Sequence, residues 1–322
     1  MPICRDRQQV TIISFMKTLY LTHPACRLHE MGDWHPESPA RLDAIERALQ
    51  GAGVLRELDV RQAPAAPLAA IERAHHPDYI ADLGRHSPRQ GYYSLDPDTS
   101  MNPHTLEAAL RAAGAALAAV DAVMAGEAAS AFCAVRPPGH HACPDRAMGF
   151  CFFNNVAVAA HHAMARHGVE RLAIVDFDVH HGNGTQAAFE GDHRVLMCGF
   201  FQHPFYPHSG AGPAADNMVN LPVPARTAGP AIRDLVTRQW LPRLQAHRPQ
   251  LVLVSAGFDA HRDDDLGGLA LVEDDYAWLT RQIVDVAARH AAGRIVSTLE
   301  GGYNLRALGR AALAHVRTLA KL

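Results

Sequence analysis

Apolar residues follow two rhythms that alternate along the whole chain. Short continuous runs rich in aliphatic and β-branched residues occupy 17–22 (KTLYLT), 130–135 (SAFCAV), 172–177 (LAIVDF), 194–199 (RVLMCG), 251–256 (LVLVSA) and 294–299 (RIVSTL). Such runs mark strands buried on both faces. Between them, apolar positions recur at helical spacing over 39–50, 67–73, 104–125, 154–167, 229–246 and 273–291. Continuous apolar strands separated by amphipathic helices predict an α/β fold with a mostly parallel sheet covered on both faces. Pro/Gly-rich stretches such as 203–230 fall between strands and read as loops, so 16–322 is expected to form a single domain. Residues 1–15 are expected to be a disordered extension ahead of Met16, a candidate initiator. They lack the apolar core and cleavage site of a signal peptide.

Polar chemistry gathers where four of these runs end. SAFCAV continues into Arg136-Pro-Pro-Gly-His140-His141, and LAIVDF carries Asp176, Asp178 and His180. LVLVSA leads to Gly257-Phe258-Asp259-Ala260-His261, and RIVSTL delivers Glu300-Gly-Gly-Tyr303-Asn304. Open parallel sheets place their ligand crevice at that carboxyl edge. A buried carboxylate is costly unless something neutralises it, so the density of charge in IVDFDVHHGNGTQ (174–186) calls for a cation.

Asp178, His180 and Asp259 make a workable zinc set, two carboxylates and an imidazole with a position left for water. Asp176 shares their side of an extended segment, so spacing leaves open which carboxylate binds. A hydrogen-bonded Asp/His surface loop is the bland alternative and ranks second. His140-His141, behind a rigid Pro-Pro-Gly turn, suit acid–base work near neutral pH. Two other doublets read as structural: His161-His162 within a helix, and His75-His76, which opens a loop before Pro77. Tyr303, past two glycines, projects from a mobile corner where its hydroxyl could donate to an oxyanion; an incidental tyrosine on a glycine turn is the competing reading.

Composition narrows the class. With 322 residues, 48% hydrophobic, 20% charged and a net charge of −3, the chain suits a soluble enzyme and gives no ground for a nucleic-acid or membrane partner. Six cysteines without C-x-x-C spacing predict a reduced, cytoplasmic protein, with Cys143 and Cys151 as packed thiols near the site. No apolar run is read as long enough to span a membrane. Assembly as a homo-oligomer stays open.

The segments RPPGHH, GFCFFNN, DFDVHHGNGTQ, SAGFDAH and LEGGYNL, in this order, resemble the histone deacetylase superfamily of zinc-dependent acetyl-lysine and acetylpolyamine amidohydrolases. Asn183 is similar to the class II branch and its bacterial relatives, where the class I branch carries aspartate. The resemblance implies an arginase-like fold with an eight-stranded parallel sheet. It implies zinc held by Asp178, His180 and Asp259, with Asp176 orienting His140 and Asn183 behind His141. His141 would be the general base, His140 an electrostatic aid or proton donor, and Tyr303 the group that polarises the carbonyl. Gly149, Phe150, Tyr206 and Leu266 would line the acyl-lysine tunnel, and backbone oxygens around Asp176, Asp178 and His180 would hold a structural potassium ion.

Two departures bear on the implied function. Leu266 stands where polyamine-selective relatives carry a glutamate, which favours an acylated lysine of a protein or peptide over a small acylated amine. Gly199 and Phe200 replace a common Ser-Leu, which weakens side-chain ligation of potassium. His261 receives no role. A non-catalytic acyl-lysine reader is disfavoured because it needs no oxyanion donor, and a binuclear ureohydrolase because the expected bridging ligands are missing from these motifs.

Overall fold

The computed structural model describes residues 16–322, and the extension expected over 1–15 lies outside them. Eight strands build the sheet: β1 (Leu19–Thr22), β2 (Asp59–Gln62), β3 (Ser130–Cys133), β4 (Leu172–Asp176), β5 (Val195–Gln202), β6 (Met218–Val223), β7 (Leu251–Ala256) and β8 (Ile295–Leu299). They hydrogen-bond in the order β2-β1-β3-β8-β7-β4-β5-β6, and every pairing is parallel. Helices cover the sheet, giving the α/β architecture that the alternating rhythms predict. The four strands with polar ends, β3, β8, β7 and β4, are contiguous at the centre and buried along their whole length. Their carboxyl ends therefore converge.

All six predicted strands are present; β2 and β6 lie outside the predicted set because both are edges. β2 reads DVRQ and is largely exposed, so it carries no apolar run. β6 reads MVNLPV and falls inside the 203–230 stretch expected to be loop; Pro222 is tolerated there because an edge strand can spare an N–H. Three helices are also additional: Pro77–His86, Asn183–Phe189 and Leu305–Leu319. His75-His76 thus opens a helix and not a loop, with Pro77 pre-set at its first position. His75 is structural as expected, donating from Nδ1 to the Cys143 carbonyl (3.0 Å) and accepting at Nε2 from the Asn154 N–H (2.9 Å).

A further expectation is corrected. The helix Thr105–Ala125, with 21 residues, is long and apolar enough to cross a membrane. It packs against β3, β8 and the helix Asn155–His167, and 67% of its most apolar window is buried, as in a core helix. Alanine makes it apolar and slim enough for close approach. At Gly114 a Cβ would lie 2.0 Å from the Pro64 carbonyl oxygen. Gly114→Ala should therefore destabilise the protein by about 1–3 kcal/mol through overpacking, although alanine is the better helix former by about 1 kcal/mol. The midpoint of urea unfolding reads the sign: a rise would show that the 64–66 segment yields easily.

Candidate active site

β4 ends on Asp176, and the chain beyond it is folded around carboxylates. Asp176 Oδ1 accepts the Asp178 N–H (3.1 Å), and Asp178 Oδ1 accepts the His180 N–H (2.9 Å). Asp178 Oδ2 accepts from Gly301 after β8 (2.9 Å), and Asp259 Oδ1, after β7, accepts from Val179 (2.8 Å). His180 Nδ1 lies 3.0 Å from Asp178 Oδ1 and 3.3 Å from Asp259 Oδ2. Ligand atoms of Asp178, His180 and Asp259 all fall within 4.8 Å of one another.

Three observations fit this cluster to a divalent cation. Asp259 Oδ2 is buried without a hydrogen-bond partner. Two carboxylates and an imidazole are a donor set suited to zinc. The space is kept open by glycine: a Cβ at Gly301 would lie 1.9 Å from Asp259 Oδ2, and one at Gly257 would lie 2.0 Å from Asp178 Oδ2. Electrostatics agree. Burial opposes charge on His180, yet the carboxylates of Asp178 and Asp259 beside its Nδ1 push its pKa up to about 9. Burial and the charge of Asp178 push Asp259 up to about 7, against the pull of His180. The site demands positive charge.

The adjacent rings of His140 and His141, 4.0 Å apart between centroids, are driven in opposite directions. Burial disfavours charge on His140, but Asp178 and Asp176 outweigh it and hold its pKa well above the usual range; its Nδ1 lies 3.0 Å from Asp176 Oδ2. Burial and the charges of His140 and His180 hold His141 well below. His141 Nδ1–H donates to Asn183 Oδ1 (2.7 Å), which leaves Nε2 with a free lone pair. A charged ring beside a neutral one is an acid–base pair separated by environment. Beneath them Glu300 accepts the N–H groups of Gly139 (2.6 Å) and His140 (3.0 Å), and burial pushes its pKa up to about 7 against the pull of His140.

A cavity of about 280 Å³ opens from this cluster, lined by His141, His180 and Tyr303 and by Gly149, Phe150, Tyr206 and Leu266. Gly149 (φ +56°) must be glycine, since a Cβ would meet His141 Cδ2 at 2.5 Å. Phe150 takes a left-handed φ of 68°, and its ring stands edge-on to Tyr303 at 5.9 Å. Tyr206 meets His141 edge-on at 5.2 Å. Every tunnel residue proposed from the sequence is thus brought together. Three lining residues went unforeseen: Phe205, stacked on His180 at 5.3 Å, and two carboxylates, Asp98 and Asp265.

Tyr303 does not occupy a mobile corner. Asp264 Oδ2 accepts the N–H groups of Tyr303 (2.6 Å) and Asn304 (2.9 Å), while its Oδ1 accepts that of Leu266 (3.0 Å). The Arg41 guanidinium lies 4.8 Å from the Tyr303 ring centroid and donates to the Gly302 (2.6 Å) and Glu300 carbonyls. Burial pushes the Tyr303 phenol well above its usual range despite Arg41, so it remains a donor. Arg41 and Arg136 share Glu37, and all three are fully buried. The four-residue spacing of Glu37 and Arg41 in HPESPARL was the available signal. His261 is buried, its Nδ1 accepting the Asp263 N–H (3.0 Å) to brace the loop. Gly199 and Phe200, on β5, bring no side-chain oxygen to a monovalent cation.

The histone deacetylase domain family matches residues 35–319. The chain belongs to the histone deacetylase family. It is 42% identical over 277 residues to a histone deacetylase-like amidohydrolase of Pseudomonas aeruginosa, spanning 84% of this chain and 73% of that one. Histone deacetylase 14, chloroplastic, of Arabidopsis thaliana is 36% identical over 310 residues, spanning 88% and 73%. The crystal structure of the HDA15 HD domain superposes with a TM-score of 0.89 at 33% identity, covering 95% of this chain and 90% of that one. The arginase-like fold expected from the motifs is the fold observed, and a hydrolase of the deacetylase class is the supported activity.

Gly301→Ala tests the glycine cradle directly. Its Cβ should separate the Asp178 and Asp259 carboxylates, so zinc bound at this site should fall at least tenfold in affinity while far-UV circular dichroism stays native. Unchanged zinc affinity would show that the cradle yields.

Proposed function

We propose that the protein is a zinc-dependent amidohydrolase that removes acetyl or similar acyl groups from lysine side chains of proteins or peptides. The observation that carries this reading is a convergence. An aromatic-walled cavity reaches His141 and Tyr303 beside a buried Asp178–His180–Asp259 cluster with an unpartnered carboxylate oxygen. Zinc held by those three residues would polarise the amide carbonyl and lower the pKa of an attacking water towards about 7. His141 Nε2 takes the proton from that water, its tautomer fixed by Asn183. His140, held charged by Asp176, stabilises negative charge developing beside it. The Tyr303 hydroxyl donates to the carbonyl oxygen as it gains charge. The proton on His141 then passes to the leaving nitrogen as the C–N bond breaks, and the acid's remaining proton goes to the amine, giving a carboxylate and an ammonium group. Phe150 and Tyr206 flank the methylene stem, and Gly149 leaves room for it. The free, buried thiols Cys26, Cys133, Cys143, Cys151 and Cys198 support a reducing, cytoplasmic setting.

A second reading, deacetylation of acetylpolyamines or other small acylated amines, gains support from Asp98 and Asp265. These carboxylates share the cavity with Leu266 and would attract a second ammonium group.

Chelation should abolish activity, and zinc or cobalt should restore it; full turnover by metal-free protein would end the proposal. Tyr303→Phe should lower kcat by about 10²–10³ with zinc content unchanged, the usual effect of losing one oxyanion donor. An undiminished kcat on an unactivated acetyl amide would remove Tyr303 from the mechanism.

Leu266→Glu adds a third carboxylate to the mouth. It should raise the ratio of kcat/KM for acetylated polyamines over acetyl-lysine peptides by about ten- to a hundredfold, the range of a charge-assisted contact worth about 1.5–3 kcal/mol. A ratio that stays put would mean that residue 266 does not select substrate.

A further inference from the structure

A second cluster of metal-ligating side chains lies outside the cleft, and none of its members lines that cavity. Asp121 stands near the end of the helix Thr105–Ala125, and His162 and His167 lie on the helix Asn155–His167. Both rings turn Nε2 to the same carboxylate oxygen, Asp121 Oδ1, at 2.7 and 2.6 Å. The ring centroids are 5.7 Å apart. The imidazoles are held by packing, at 13% and 22% side-chain exposure, while the carboxylate is 53% exposed. An ion can therefore arrive from water at ligands that are already oriented.

We propose that Asp121, His162 and His167 bind a divalent transition-metal ion such as zinc at a site separate from the catalytic cleft. The donor set is two imidazoles and one carboxylate, a combination suited to borderline metals with coordination positions left for water. All three ligand atoms lie within 4.8 Å of one another. Burial opposes charge on Asp121, but the hydrogen bonds from His167 and His162 outweigh it and hold the carboxyl below its usual range, as an anion. An ion bound at Nε2 takes the place of the Nε2–H donation to Asp121, and each ring then keeps its N–H at Nδ1. On His162 that N–H is buried without an acceptor, a desolvation cost that the metal bonds must outweigh. Arg166 lines the adjoining hollow with Asp121 and His162. It makes no ion pair with Asp121 among the described residues, and its charge favours an anion at an open coordination position. The bound ion would staple two helices of the core. One of them begins directly after the Gly149–Asn154 segment that shapes the cleft.

The test is zinc stoichiometry of the untagged full-length protein, followed by equilibrium dialysis and calorimetry with zinc chloride. Wild type should bind two equivalents, and thermal unfolding of the singly loaded enzyme should shift upward as the second is added. His167→Ala and Asp121→Asn should each bind one equivalent, lose that upward shift, and keep wild-type deacetylase turnover. Asp121→Asn leaves the packed rings untouched, so it gives an answer even where the histidine variant folds poorly. Asp259→Asn should lose the catalytic equivalent and retain this one, which lets the two sites fail separately. A wild type whose only equivalent is lost in Asp259→Asn, or a second equivalent that survives both His167→Ala and Asp121→Asn, would overturn the proposal.

Discussion

Negative charge buried at the ends of the central strands is the constraint around which the rest of this structure is arranged. Asp176, Asp178, Asp259 and Glu300 are each no more than 2% exposed. Buried carboxylates persist only where hydrogen bonds and cations offset their lost hydration. Here the hydrogen bonds come from neighbouring loops: Gly301 donates to Asp178, Val179 to Asp259, and Gly139 with His140 to Glu300. Each carboxylate thus locks a segment that leaves a different strand. Gly182, Gly257 and Gly301 follow from the same crowding, since a Cβ at any of them would lie within 2.4 Å of a carboxylate oxygen.

Positive charge is supplied from two sides. His140 and His180 face the anions directly, and the pull on them explains why their neighbour His141 stays neutral. Behind the turn after β8, Arg41 grips the carbonyls of Glu300 and Gly302 and lies over the Tyr303 ring. Asp264 holds the same turn from the opposite direction, by the N–H groups of Tyr303 and Asn304. The tyrosine is oriented through its backbone as much as through its ring.

The candidate site was legible because its residues sit in short motifs at the ends of strongly apolar strands. Asp178, His180, Asp259, His140, His141 and Tyr303 meet where the rhythm of the sequence and the family motifs put them. What escaped was held by long-range contact without local pattern. Arg41 and Asp264 act on backbone groups far along the chain, and beyond the Glu37–Arg41 spacing nothing beside them in sequence declares a partner. β2 and β6 are edges, where one-sided burial removes the apolar run that marks an inner strand. Thr105–Ala125 misled in the other direction: its alanines satisfy a membrane scale, yet their small size is what lets the helix press against Pro64 and the sheet. Asp98 and Asp265 converge on the tunnel mouth from loops more than 160 residues apart, and only the folded chain brings them together.

The reach of Arg41 has a consequence for how the protein is made. Its partner Gly302 lies 261 residues further along the chain, and Glu300 nearly as far. A ribosome therefore releases Arg41 long before the turn after the last central strand exists to receive it. Until β8 emerges, the sheet has a gap between β3 and β7, and Asp178 beyond β4 lacks the Gly301 N–H that it accepts in the finished fold. Contacts of such sequence separation form late and slowly. Nascent chains cut short anywhere before residue 295 would carry an open sheet and unquenched carboxylates, the sort of intermediate that chaperones and proteases recognise.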